Sequence, residues 1–126
     1  MCGFFCSFSI NGINFDIKDL QNSFSNIQNR GPDSKGLFIH YKNESFELLF
    51  EEEINFWKPK SEIICIIGFT RLAIRGLDKQ YNQPYLKGKY VTVFNGEVYN
   101  DKKLSQTYGL KFEDGQGDIE VVNEMF

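Results

Sequence analysis

The run Ile63–Phe69, IICIIGF, restricts the fold more than any other part of this chain. A stretch of β-branched and aromatic residues with no polar side chain reads as a long buried strand. The rest of the sequence is cut into short apolar pieces of the same kind. Cys2–Ile10 is apolar and aromatic, interrupted only by serines, and predicts another buried strand that ends at the turn-forming Asn11–Gly12. LFIHY and FELLF flank the polar turn KNES and predict a hairpin, and Val91–Phe94 predicts a strand stopping at Asn95–Gly96. Thirteen Phe and six Tyr among 126 residues also favour strands over long helices.

Helical signals are fewer. Asp16 suits an N-cap, and Ile17, Leu20, Phe24 and Ile27 recur at helical spacing, which predicts a helix running to about Asn29. RGPDSKG stops it, because Pro32 pushes Gly31 out of the helical region. DKKLSQTYGL predicts a short helix. GDIEVVNEMF predicts a final one, with Asp118 and Glu120 in a first turn where the helix dipole favours acids. FWKPKS and GLDKQYNQP read as loops, and the acidic run Glu51–Glu53 as a solvated loop or strand edge. Many strands and two or three helices indicate α+β with a largely antiparallel sheet. The length fits one domain over residues 1–126, able to bury roughly 60–70% of its unfolded surface.

Charge and composition exclude several functions. The formal net charge is −3 and the basic residues are scattered, so the chain lacks the electrostatic footprint of a nucleic-acid binder. Three cysteines without paired spacing and a single histidine, His40, leave no zinc set and no disulfide framework. Cys6 and Cys65 read as core residues and His40 as a strand residue. The apolar stretch after Met1 has no basic leader and is too short to span a bilayer, which points to a cytoplasmic protein and no membrane partner.

Four short stretches carry groups fit for chemistry. Cys2 directly follows the initiator methionine. Once Met1 is cut away, the α-amine and the thiol belong to one residue, and the amine can serve as the base that activates the sulfur. Asn95–Gly96, at a strand end, offers an amide side chain and an unobstructed backbone N–H, two donors suited to an oxyanion; an ordinary hairpin turn is the plainer use of Asn-Gly. Arg71, in GFTRLAI, is placed to emerge at a strand edge and grip a carboxylate through two parallel hydrogen bonds, against the commoner use of arginine in a surface ion pair. Glu97 and Asp118 are acids able to receive an ammonium, or simply a turn carboxylate and a helix cap.

Taken in order, MCGFF, RGPDSKG, GFTRLAI, NQP, FNGEVYN and GDIEVV resemble the glutaminase domain of class II glutamine amidotransferases, and within it the asparagine synthetase-type branch. The resemblance spans the whole chain. It implies an N-terminal-nucleophile hydrolase fold, an αββα sandwich of two mostly antiparallel sheets between helices. It implies Cys2 as nucleophile, Asn95 and Gly96 as oxyanion hole, Arg71 as holder of the glutamine α-carboxylate, and Glu97 and Asp118 as receivers of its α-ammonium. Glutamine would be hydrolysed to glutamate and ammonia through a thioester, for asparagine synthesis. A non-catalytic glutamine-binding or assembly module, or an inactive fragment, is the alternative. RGPDS is expected to be architectural.

Two departures from the family pattern stand out. Phe69 replaces the usual histidine two residues before Arg71. The family's domain also continues beyond the point where this chain stops, so the sandwich is expected to be incomplete, with an apolar face and unpaired edges open. The expected partners are then glutamine and a synthetase domain or second chain that completes the sandwich. ATP and magnesium would belong to that synthetase domain, with no cofactor or metal expected in this one.

Overall fold

The computed structural model describes residues 1–111 and 117–126. In chain order the elements are β1 (Gly3–Ile13), α1 (Ile17–Ile27), β2 (Ser34–Tyr41), β3 (Phe46–Phe50), β4 (Ile63–Arg71), β5 (Tyr85–Lys87), β6 (Tyr90–Thr92), α2 (Asp101–Tyr108) and α3 (Asp118–Glu124). Four strands form one antiparallel sheet in the order β1-β4-β2-β3, and β5 and β6 form a separate antiparallel pair. The class is α+β with antiparallel sheets, as the alternation of short strands and helices indicates.

The run Ile63–Phe69 occupies β4, an inner strand hydrogen-bonded to β1 on one side and β2 on the other. Its side chains feed both faces of the sheet. On the first face Ile63 and Ile66 join Leu37, Ile39 and Tyr41 under Leu20 and Phe24 of α1, and Phe5 packs against the same cluster. The helix sits there because its apolar residues recur at helical spacing. Its start is fixed by a capping box, in which Asp16 accepts from Lys18 N and Asp19 N while Asp19 accepts from Asp16 N. The helix ends at Ile27, and a single tighter turn carries the chain through Arg30.

Among the described residues the second face is left open along the edge strand β1 and covered at one end. There a Cβ on Gly36 would run into the Gln83 carbonyl, and Ser34 Oγ bonds Asn82, so the segment after β4 lies directly on the sheet and Phe69 is fully enclosed. On the outer edge of this face the register aligns Phe4, Cys6 and Phe8 of β1 with Phe69, Ile67 and Cys65 of β4. Phe4 and Phe8 are exposed there, Phe8 at 79%. Among the described residues β5–β6 is the only second sheet, where an αββα sandwich calls for a full one.

Several expectations from sequence need correction. Cys2–Ile10 was expected to be a buried strand, but β1 is an edge strand whose even-numbered residues face outward. Cys6 is therefore exposed, not core, and Cys65 is half-buried. Asn11–Gly12 does not turn the chain. Residues 9–12 stand opposite Ile64 alone, and this irregularity, with Gly12 at φ +87°, absorbs the dipeptide inside the strand. Glu51–Glu53 forms a tight helical turn in which Glu51 accepts from Lys35 N and Glu53 from Phe50 N, which half-buries Glu51. The loop FWKPKS contains Trp57, a core residue whose Nε1 donates to Tyr41 Oη at 3.3 Å. Finally, β6 closes at Thr92, before Val93 and Phe94.

Candidate active site

One cavity of about 240 Å³ opens beside the N-terminal end of β1 and the C-terminal end of β4, where antiparallel pairing brings them together at Gly3 and Thr70. Cys2, Arg71, Asn95, Gly96, Glu97 and Asp118 all line it. These residues come from four separate regions of the chain, and the fold brings all six to one place.

Cys2 is half-buried, and its sulfur sits against the peptide that follows β4: Leu72 N donates to Sγ at 3.3 Å, and Sγ lies 3.8 Å from Leu72 O. The residue is held from the other side by Arg30, whose Nε donates to Cys2 O at 3.0 Å. The RGPD segment thus works as a bracket. Asp33 N donates to Arg71 O and Asp33 Oδ2 accepts from Ala73 N at 2.8 Å, while any Cβ on Gly31 would strike the Thr70 backbone. The bracket fixes the exit of β4 relative to Cys2. Met1 also lines the cavity, so its removal would expose the Cys2 nitrogen at the same place.

Asn95 and Gly96 are solvent-exposed at a bend, without a strand partner on either side. The hairpin alternative for Asn-Gly does not apply. Their position is set from behind by Gln83, which is buried and accepts from Phe94 N at 2.6 Å through Oε1. Asp118 lies at the start of α3, behind the cap residue Gly117, and accepts from Val98 N at 3.0 Å. Gly117 itself is required by crowding, since a Cβ there would meet the Tyr81 ring and one on Gly76 would meet the Gly117 backbone.

Arg71 differs from the expectation in its surroundings. It is only 6% exposed, and its guanidinium turns into its own loop instead of emerging at the strand edge. Nη1 donates to Asn82 Oδ1 at 2.9 Å and to Asp78 O at 3.4 Å, and Nη2 donates to Arg75 O at 2.9 Å and to Gly76 O. Both terminal nitrogens are thereby committed to residues 75–82. Burial lowers its pKa, while Cys2, Asp118 and Asp33 oppose that shift electrostatically.

Sequence reasoning passed over Arg75, Tyr81, Gln83 and Tyr99, which also line the cavity. NQP stands among the motifs, but nothing in it announces that Gln83 braces Phe94. Arg75 falls between GFTRLAI and the loop GLDKQYNQP, in neither motif. Among the described residues no cluster of three or more His, Cys, Asp and Glu is arranged to hold a metal ion, and no helix is long and apolar enough to cross a membrane.

The chain is similar to a probable asparagine synthetase (glutamine-hydrolysing) of Acanthamoeba polyphaga mimivirus, 27% identical over 127 aligned residues covering this whole chain and 20% of that protein. It is also similar to a putative asparagine synthetase (glutamine-hydrolysing) 2 of Methanocaldococcus jannaschii, 30% identical over 117 aligned residues covering 79% of this chain and 19% of the other. The chain thus spans about a fifth of the length of these curated relatives. No solved structure matches it. The model of the glutamine amidotransferase domain matches residues 53–126, which include every lining residue from Arg71 to Asp118. With that match running over more than half of its length, the chain belongs to the glutamine amidotransferase domain family.

Proposed function

We propose that this chain hydrolyses the side-chain amide of glutamine, with Cys2 as nucleophile, and supplies the ammonia for asparagine formation. The observation that carries this reading is the convergence of a thiol, an amide-bearing corner, two carboxylates and two guanidinium groups on one cavity. Free glutamine bears one cation and one anion on its α-carbon, so its charges complement such a lining.

In this reading Met1 is removed and the freed α-amine of Cys2 takes the thiol proton. The sulfur attacks the amide carbon, and the carbonyl electron pair moves onto oxygen, facing the Asn95 side chain and Gly96 N–H. Collapse of this adduct passes the proton to nitrogen and expels ammonia, leaving a thioester. The same amine then accepts a proton from water as water attacks the thioester carbon. The carbon–sulfur bond breaks, sulfur regains the proton, and glutamate leaves. Glu97 and Asp118 receive the α-ammonium, and Arg71, on the same cavity, holds the α-carboxylate. The chain works in the cytoplasm, where thiols such as its three free cysteines stay reduced. Its ammonia passes to a synthetase domain or second chain. ATP and magnesium belong to that partner.

The test is glutamate and ammonia release from glutamine. It is expected for the processed chain and expected to vanish in Cys2→Ala, whereas glutamine binding without any ammonia would favour the non-catalytic module instead.

A further inference from the structure

We infer that Arg75 and Asp101 form a positioning clamp for the amide-hydrolysing site: their ion pair fixes Val98, and with it the corner Asn95–Gly96 that shares the cavity with Cys2. This rests on the glutamine reading above and adds two positioning residues to that same site.

Residues 93–98 form neither strand nor helix, so no regular element holds the corner. Among the described residues, the backbone of this segment is hydrogen-bonded at its two ends. Phe94 N donates to Gln83 Oε1 at 2.6 Å. At the other end Val98 N donates to Asp118 Oδ2 at 3.0 Å, and Val98 O accepts from Arg75 Nη1 at 3.4 Å. Asn95, Gly96 and Glu97 lie between these anchors and take their position from them.

The bond to Val98 O is long, so it depends on what holds the guanidinium from its other side. Asp101 does this. Its carboxylate is 5% exposed at the start of α2; Oδ2 pairs with Arg75 Nη2, and Oδ1 accepts from Lys102 N at 2.7 Å. Arg75 lines the cavity with its side chain one-third exposed, so the pair reaches from the helix to the cavity wall. The main chain of Arg75 is held as well, since Arg71 Nη2 donates to Arg75 O at 2.9 Å. A single residue thus joins the loop around Arg71 to the segment carrying Asn95, and Val98 passes the link on to Asp118. A buried ion pair is a poor source of stability, because apolar residues of similar volume often replace it without loss, whereas removing one partner strands a buried charge. What this pair supplies is placement.

The test measures kcat, KM and the unfolding midpoint in the processed parent chain, in Arg75→Met, in Arg75→Lys and in the double variant Arg75→Met with Asp101→Leu. A misplaced corner predicts that Arg75→Met lowers kcat for glutamine about tenfold to a hundredfold with a smaller change in KM, and that Arg75→Lys recovers part of the loss. The rate at which iodoacetamide alkylates Cys2 should stay at the parent value, because neither clamp residue bonds to the sulfur. Arg75→Met also leaves the Asp101 carboxylate buried and unpaired, and should lower the midpoint. In the double variant the midpoint should return while kcat stays low. If kcat survives in Arg75→Met, or returns together with the midpoint in the double variant, the clamp is overturned while the glutaminase reading stands. If the processed parent releases no glutamate from glutamine, the functional reading itself fails and the clamp with it.

Discussion

At the scale of single residues the account rests on a few atoms meeting in one cavity. If the Asn95 amide faces a developing oxyanion, Asn95→Ala should lower kcat by about 10²–10³ with a much smaller change in KM, as steady-state kinetics would read. Away from the cavity, burial pushes the Cys65 thiol up to about 11, with neighbouring Cys6 adding to the shift. Alkylation at pH 8 followed by peptide mapping should therefore mark exposed Cys6 and spare Cys65. Tyr41 forms a second titrating group with Glu47, which accepts from both Tyr41 Oη and Lys60 Nζ. Burial and the bond to Glu47 push Tyr41 up to about 12. Burial acts to raise Glu47, but the bonds from Lys60 and Tyr41 outweigh it and its pKa falls. The signs follow from linkage. The Tyr41 contribution is complete below the ordinary tyrosine value near 10 and is lost as pH rises toward 12. The Glu47 contribution is complete above its ordinary 4.5 and is lost as pH falls below it. Urea midpoints across pH should show both limbs, and Tyr41→Phe should shrink the alkaline one, leaving the part that belongs to the raised Cys65 thiol.

At the scale of elements, the helix start and the sheet contacts make separate predictions. Asp16→Ala removes the acceptor for two backbone donors and should cost about 0.5–2 kcal/mol in urea unfolding, with little effect on the cavity. Gly36→Ala should act the other way. Its new Cβ would push on the Gln83 carbonyl, and Gln83 braces Phe94 just ahead of Asn95, so turnover should fall by more than stability alone explains. The comparison of kcat with unfolding midpoint checks this. How much of these elements was legible follows the range of the forces. The Asp16 cap, the period of α1, the β2–β3 hairpin and the start of α3 are local signals and lie where residue pattern places them. The fate of Asn11–Gly12, the exposure of Cys6 and the burial of Trp57 depend on which strand pairs with which, a choice made between residues far apart in sequence. The same division runs through the cavity. Cys2, Asn95 and Asp118 stand out by residue type and setting, and all three line the cavity. The surroundings of Arg71 could not be read, because three of its four acceptors are main-chain carbonyls that every sequence possesses.

At the scale of the whole molecule, the four-stranded sheet has one face filled by α1 and, among the described residues, the other left open along its edge strand. Phe4, Phe8 and Ile10 on the edge strand remain outward, together with the exposed Cys6. An apolar edge of this kind should bind a hydrophobic dye such as ANS, and Phe8→Ser with Ile10→Ser should reduce that fluorescence while leaving the unfolding midpoint nearly unchanged. The cavity lies at the covered end, assembled by the bracket from Arg30 to Asp33 and by the loop around Arg71. What this architecture delivers to solvent is the beginning of the chain, held against Leu72. The most direct test is the initial rate of glutamate release from glutamine by two preparations of the same chain, one beginning at Cys2 and one retaining Met1, each verified by intact mass. The account predicts turnover only from the chain that begins at Cys2. Equal rates from both, or no turnover from either, would contradict it.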